Sequence, residues 1–122
     1  MAIDTFLAKI REGERVAFAD TMRIIEEHYE YRPVPFTNGP EGDRIANAAG
    51  SNEGSCKIFA FAKLQGLTEA ETLGLFGDYY WHDVLEDPNG DSHANIRTFI
   101  RYGWKEIRFS GAALSPRIRL SA

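Results

Sequence analysis

The stretch Asn47–Lys63, NAAGSNEGSCKIFAFAK, decides how this chain folds, because a polar loop in it leads directly into an apolar segment. Its first eight residues are rich in Gly, Ser and Asn, which is typical of a loop. Ser55 is a favoured N-cap residue, so we expect a helix to begin there. The run Ile58–Ala62, continued by Leu64, leaves this helix almost no polar face, and such a helix is buried inside a domain.

Two amphipathic helices and a hairpin are predicted before this stretch. Apolar residues at helical spacing indicate a helix over residues 3–11 and a second over about residues 14–30. Pro33 and Pro35 end the second helix, because a residue that precedes proline avoids the α region. Residues 36–39 and residues 44–47 then form the two strands of a hairpin, which the nearby prolines place at a sheet edge.

Two further helices are predicted after the central one. Thr68 and Glu71 match a capping box, in which the side chain of each residue accepts a hydrogen bond from the backbone amide of the other. Gly77 interrupts the apolar stripe of that helix and predicts a kink or a split. Ser92 is expected to cap the next helix, and Gly103 is well placed to end it.

Two short alternating segments complete the predicted fold. Residues 107–109 and 118–120 read as small strands that pair with each other as a hairpin. The sequence therefore predicts a mostly helical α+β domain, with five or six helices around a central buried helix and a small antiparallel sheet. At 122 residues, we expect residues 1–122 to form a single domain.

Composition excludes several classes of protein. Hydrophobic residues make up 43% of the chain, which is typical of a globular and soluble protein. The net charge of −4 argues against a nucleic acid or a membrane surface as partner. No apolar run approaches the roughly 20 residues that span a bilayer, and we expect no signal peptide. A single cysteine fits a reducing cytosol.

The charges are unevenly distributed along the chain. Residues 64–96 contain acids but no Lys or Arg, whereas basic residues prevail from Arg97 onward. This asymmetry indicates either two faces of one domain, which we favour, or an electrostatic docking face for a partner.

Cys56 is a candidate nucleophile. A thiol at a helix start beside Lys57 lies in an environment that lowers its pKa, and His82 or His93 could activate it. The alternative is a small buried core residue, which is the usual role of a lone cysteine that begins an apolar helix. We favour the buried role and expect slow reaction with thiol reagents.

The acidic segment around His82 is a weak candidate for a metal site. His82 and Glu86 share one helical face, but no familiar zinc spacing appears. Residues 87–91 imitate the start of a calcium loop, yet Ser92 stands where that loop requires glycine. We therefore expect a solvated acidic helix end, with no metal and no cofactor.

Several polar residues beside apolar neighbours are candidates for a binding site. They either cap loops, which is the commonest use of Asn at turns, or converge on one pocket. The set comprises Asn38, Asn47, Asn52, Asn95 and Arg97.

We expect the loop 48–54 to pack against the helix start at residues 93–97, forming one polar cleft. Two helix starts would together attract a carboxylate or a phosphate, helped by Ser55 and Lys57. Glu53 would oppose the anion unless it pairs with Arg97, and we slightly favour this pairing over ligand binding.

Five segments of the chain resemble the HopJ type III effector protein family, over residues 3–114 in colinear order. The tail 115–122 lies outside the likeness. Eight residues match its most specific motifs, although the family implies no catalytic role for them: Asn52, Glu53, Ser55, Cys56, Lys57, His93, Asn95 and Arg97. The matching segments are PFTNG (35–39), NAAGSNEGSCKIFAFA (47–62), LGLFGDYYWHDVL (73–85), HANIRTFIRYGW (93–104) and IRFSGAAL (107–114).

The resemblance implies a bacterial protein, made in the cytoplasm, that a type III system delivers into a host cell; a housekeeping relative is the other possibility. We expect it to act by binding a host protein, a bacterial protein or a small anionic ligand. The rival hypothesis is a small enzyme that uses Cys56 or a pocket of His93, Asn95 and Arg97.

Overall fold

The computed structural model describes residues 2–117, which form the predicted mostly helical α+β fold. The helices are α1 (Ile3–Arg11), α2 (Phe18–His28), α3 (Glu53–Gln65), α4 (Glu69–Gly74), a π-helix (Tyr79–Val84), α5 (Ala94–Tyr102) and a 3₁₀ turn (Trp104–Glu106); the strands are β1 (Tyr29–Tyr31), β2 (Phe36–Asn38), β3 (Ile45–Asn47), β4 (Ile107–Phe109) and β5 (Leu114–Pro116).

Helix α3 is the centre of the core, as its sequence predicts. Ile58, Phe59 and Phe61 are all 0% exposed. The Phe59 ring lies within an aromatic cluster, with ring centroids 4.9 Å from Phe99 and 5.6 Å from Phe76. Leu64 differs from the expectation, because its side chain is 57% exposed near the end of the helix.

The first sheet has β2 at its centre rather than at its edge. Strand β2 pairs antiparallel with β3 on one side and with β4 on the other, so that Phe36 lies opposite both Asn47 and Phe109. The hairpin of β2 and β3 is confirmed, and β3 forms one edge of the sheet, but β2, which the prolines flank, lies at its centre. Pro35 and Pro40 lie just outside the three paired residues, so they remove no hydrogen bond from the ladder.

The second sheet joins distant parts of the chain. Strand β5 pairs antiparallel with β1, with Glu30 opposite Ser115. The predicted hairpin between residues 107–109 and 118–120 is therefore wrong in its first strand, because β4 pairs with β2; residues 118–120 lie outside the described part. Helix α2 also ends at His28 instead of about residue 30, because Tyr29–Tyr31 form β1.

The glycine and capping-box signals between α3 and α5 are confirmed. Thr68 and Glu71 form both bonds of the capping box. Gly77 separates α4 from the π-helix at φ +61°, and a Cβ there would lie 2.6 Å from the backbone nitrogen of Phe18. The chain splits at this point because two backbone segments approach each other too closely for a side chain. Gly103 follows α5, with φ +72°.

The serine caps predicted for α3 and α5 are wrong. The N-cap residues are Asn52, three residues before Ser55, and His93, one residue after Ser92. Ser55 lies inside the first turn of α3, and Ser92 instead accepts a hydrogen bond from Arg97. These two displaced helix starts define the site described below.

Candidate functional site

A cavity of about 350 Å³ lies between the starts of α3 and α5, and we call it the helix-start cleft. It therefore lies where the sequence places a polar cleft, between the 48–54 loop with its helix and the segment that begins at His93. The residues that line it are Phe18, Ile45, Asn52, Gly54, Ser55, Phe76, Tyr79, His93, Ala94, Asn95 and Ile96.

The N-cap residues of α3 and α5 have the same unusual backbone conformation. Asn52 has φ 51° and ψ 49°, and His93 has φ 52° and ψ 54°. Within residues 2–117, these are the only non-glycine residues with positive φ. A left-handed backbone conformation costs energy in a non-glycine residue, and such residues concentrate at functional sites. Their joint presence here indicates that the cleft is a candidate functional site.

The two helix starts leave backbone amides unused. The first helical bonds run from the Cys56 amide to Asn52 O (3.0 Å) and from the Arg97 amide to His93 O (3.1 Å). Three amides precede each of these donors, and no side chain caps either helix. The N-termini of α3 and α5 therefore provide the cleft with free N–H donors and with the positive ends of two helix dipoles.

The π-helix supplies the aromatic wall of the cleft. Tyr79 is 42% exposed, and its ring centroid lies 4.9 Å from that of Phe18 and 5.0 Å from that of His93. Short π-helices are rare and occur frequently at functional sites. This wall gives the cleft an apolar face.

Asp83 of the π-helix binds two histidines. Its Oδ1 lies 3.0 Å from His82 Nδ1, and its Oδ2 lies 3.0 Å from His93 Nε2. Hydrogen bonds from His82 and then His93 hold the pKa of Asp83 below its ordinary value, and the Asp83 bond, followed by the charge of Glu86, raises the pKa of His82. The second bond anchors His93 at the cleft.

A group of asparagine side chains connects the floor of the cleft. Asn52 Nδ2 donates to Asn47 Oδ1 at 2.7 Å, and Asn95 Nδ2 donates to the same oxygen at 2.9 Å. Asn38 Nδ2 donates to both the backbone oxygen and Oδ1 of Asn95. The polar residues singled out in the sequence thus converge, with the exception of Arg97.

The predicted site residues divide into two groups. Asn52, Ser55, His93 and Asn95 line the cleft, and Asn38 lies behind Asn95. The other four contribute nothing to its lining: Glu53, Cys56, Lys57 and Arg97.

Cys56 and Lys57 lie on another side of α3, near Tyr31. Lys57 Nζ lies 4.7 Å from the Tyr31 ring centroid, so its charge is directed away from the cleft. Cys56 is 1% exposed, and its Sγ lies 3.9 Å from Val34 O. Burial raises the pKa of the thiol, which is opposite to the effect expected at a helix start beside a lysine.

We expect Cys56 to react slowly with a thiol reagent in the native protein. The thiol is buried and its pKa is raised, so little thiolate is exposed to the reagent. The measurement is the rate of labelling by a disulfide reagent in native buffer and in denaturant. Labelling at equal rates in both would contradict the buried role.

Arg97 does not pair with Glu53, so the favoured pairing is wrong. Its guanidinium instead donates to backbone oxygens of the preceding loop, including those of Asp87 (2.8 Å) and Ser92. A third bond reaches Asp83 O at 3.4 Å. The physical reason is proximity along the chain, because Arg97 folds back onto the loop that leads into its own helix.

We expect Arg97→Ala to destabilise the protein by about 1–2 kcal/mol, because it removes several charge-assisted bonds that hold the 83–92 loop. The measurement is the free energy of unfolding in urea. Arg101→Ala is the matched control, since Arg101 is 70% exposed and its Nη1 lies 3.9 Å from Asp43 Oδ2, which is a weak surface ion pair. Equal effects of the two substitutions would contradict the loop-anchoring role.

The apolar wall of the cleft and the anchor of His93 are not predictable from the sequence. Phe18 and Tyr79 belong to helical segments whose apolar residues normally face a core, and no local pattern distinguishes a cleft wall from a core. The sequence groups Asp83 with His82 and His93 only as a weak metal candidate, and it does not predict that Asp83 pairs with both histidines.

Across residues 2–117, no three side chains among His, Cys, Asp and Glu come together as a metal site. No helix in that range is both long enough and apolar enough to cross a bilayer.

Comparisons with known proteins add a family and a structural relative. The family model for the HopJ type III effector protein matches residues 3–114. The crystal structure of the unknown function protein VPA0580 is similar at 41% identity and a TM-score of 0.90, over 96% of this chain and 95% of that chain. No curated protein matches the chain.

Proposed function

Because this chain belongs to the HopJ type III effector protein family, whose description names no reaction, we propose that it acts by binding a small anionic ligand in the helix-start cleft. The match over residues 3–114 confirms the family resemblance that the motifs predict. The observation that carries the proposal is the convergence of two uncapped helix starts on one cavity. Each supplies free amides and a positive dipole end, which together suit a carboxylate or a phosphate.

The lining favours a ligand with one negative charge and an apolar body. The described lining residues include no Asp or Glu that would repel an anion, and no Lys or Arg that would balance a second charge. Phe18, Tyr79 and Ile96 supply apolar surface beside the amide donors. A small aromatic or branched carboxylate has both properties, and a phosphate monoester is the more highly charged alternative.

The enzyme hypothesis has less support. Cys56 is buried with a raised pKa, and Arg97 is bound to the loop before α5. His93 and Asn95 remain at the cleft, and the Asp83–His93 pair resembles the orienting pair of a general base. The nucleophile that this hypothesis names, Cys56, does not line the cleft, so binding accounts for more of the site than catalysis does.

The effector role that the family description names is a second proposal, carried by the family match. Under it, a type III system delivers the protein into a host cell, where the ligand-bound cleft and its surroundings meet a host protein. A fusion of residues 1–122 to a reporter enzyme that is active only inside host cells tests it. Reporter activity that requires an intact secretion apparatus is expected, and activity without the apparatus would contradict the role.

We expect benzoate to bind the cleft with millimolar or tighter affinity. The measurement is an NMR titration of the backbone amides, with the largest shifts at Gly54, Ser55, Ala94 and Ile96, because these residues line the cavity and lie in the first turns of the two helices. Benzylamine, which has a similar ring but a positive charge, should leave these amides unchanged. Equal responses to both compounds would contradict an anion site.

A matched pair of substitutions locates the binding. Ala94→Asp places a carboxylate at the start of α5 inside the cleft, whereas Ala70→Asp places one at the start of α4 outside it. An acid near a helix start is tolerated or stabilising in both positions. We expect Ala94→Asp to abolish benzoate binding and Ala70→Asp to preserve it. Loss in both variants, or in neither, would contradict the assignment.

A further inference from the structure

The buried asparagine network links the two helix starts through one side chain. Asn47 is 3% exposed at the end of β3, and its Oδ1 accepts from Asn52 of the α3 start and from Asn95 of the α5 start. Its Nδ2 donates to Asn95 Oδ1 at 3.2 Å and to Phe36 O at 3.4 Å. Asn47 therefore uses all the hydrogen-bonding capacity of its amide group.

The same network determines which way the Asn95 amide faces. Asn95 Oδ1 accepts from both Asn38 and Asn47, so both of its lone pairs are used. Asn95 Nδ2 donates one hydrogen to Asn47 and retains another. If the Asn95 amide were reversed, its nitrogen would face two donors, Asn38 Nδ2 and Asn47 Nδ2. The Asn95 side chain is therefore held in one orientation. Asn95 is 6% exposed and lines the cleft, which makes the spare hydrogen a buried donor.

We propose that Asn47 is the positioning residue of the helix-start cleft, and that through it the cleft selects ligands that accept hydrogen bonds. This inference rests on the proposed function. Asn47 sets the separation of the Asn52 and Asn95 helix starts before any ligand arrives, so the amide donors need no rearrangement on binding. It also keeps the Asn95 oxygen occupied, so that side chain offers the ligand a donor and no acceptor.

The test compares two buried asparagines of the network. Asn47→Ala removes the link between the helix starts, whereas Asn38→Ala removes only bonds to Asn95. Neither substitution changes the net charge of the protein. Each leaves buried polar groups unpaired, so both should lower the melting temperature. With benzoate as probe, at a temperature where each variant is fully folded, we expect at least tenfold weaker binding in Asn47→Ala and less than threefold in Asn38→Ala.

Asn52→Gly keeps the test available if Asn47→Ala does not fold. Asn52 is exposed, and glycine retains the left-handed conformation while it removes the bond to Asn47. We expect benzoate binding to weaken about threefold or more, without a matching loss of melting temperature. Wild-type affinity in Asn52→Gly, or equal losses in the Asn47 and Asn38 variants, would overturn the positioning role.

A measurement without benzoate separates this inference from the proposed function. The protein is Asn47→Ala without ligand, or Asn52→Gly as its substitute. The NMR signals of the Asn95 side-chain amide and the Ala94 backbone amide should shift, although both residues belong to α5 and neither substitution lies in that helix. Shifts confined to the α3 start would overturn the inference whether or not benzoate binds. If wild-type protein ignores benzoate but these shifts appear, the ligand class is wrong and the positioning role stands.

Discussion

Phe59→Ala should lower the free energy of unfolding by about 3–5 kcal/mol, which is a large part of the stability of an ordinary domain. Phe59 is 0% exposed, and its ring contacts Phe36, Phe76, Phe99 and Trp104. These partners come from β2, the segment after α4, α5 and the 3₁₀ turn. Truncation therefore leaves a cavity that no single element can fill by moving.

The measurement is chemical denaturation, with Leu64→Ala as the control in the same helix. Leu64 is 57% exposed, so its truncation should cost less than about 1 kcal/mol. Phe61→Ala should fall in the same range as Phe59→Ala, because Phe61 is also fully buried, with its ring 5.8 Å from Tyr29. Losses below about 1 kcal/mol at both phenylalanines would show that α3 is peripheral.

Gly77→Ala should destabilise the protein by about 2–5 kcal/mol, through two separate effects. Alanine at φ +61° carries the strain of the left-handed conformation, roughly 1–2 kcal/mol. Its Cβ would also lie 2.6 Å from the Phe18 nitrogen and 3.0 Å from Val16 O, which forces backbone to move. Because Phe18 lines the helix-start cleft, the displacement should also weaken benzoate binding.

Comparison with Gly66→Ala isolates the second effect, the clash of the Cβ with backbone atoms. Gly66 ends α3 at φ +66°, but a Cβ there meets nothing within 4 Å. The two glycines thus share the conformational strain and differ in the clash. Unfolding in urea should show Gly77→Ala to be less stable than Gly66→Ala by at least about 1 kcal/mol. Equal losses would mean that the backbone near Phe18 yields without cost.

Local signals predicted most of the fold because each had one physical interpretation. The apolar run of α3 fits only a buried helix, and the capping box of Thr68 and Glu71 fits only a helix start. Strand pairing was harder, since β4 is equally able to pair with a downstream segment or with β2. That choice depends on contacts across about 70 residues, which no short pattern records.

The site was predicted in outline and not in detail. The two polar helix starts converge as expected, but their cap residues do not follow the usual preference for serine in extended conformation. Asn52 and His93 adopt left-handed backbone that only the surrounding bonds stabilise, so the sequence alone indicates Ser55 and Ser92. Arg97 was misassigned for a related reason, because backbone oxygens compete with carboxylates for a guanidinium and leave no sequence signal.

The strand pairing of this fold also determines when the protein can fold. Strand β1 depends on β5, and the central strand β2 depends on β4, so both sheets unite the first third of the chain with the last. A nascent chain that stops before Phe99 has neither β4 and β5 nor the cover that Phe99 and Trp104 give to Phe59. Both sheets must therefore wait until residues 99–116 have been synthesised, which leaves Phe36 and Phe59 exposed until then.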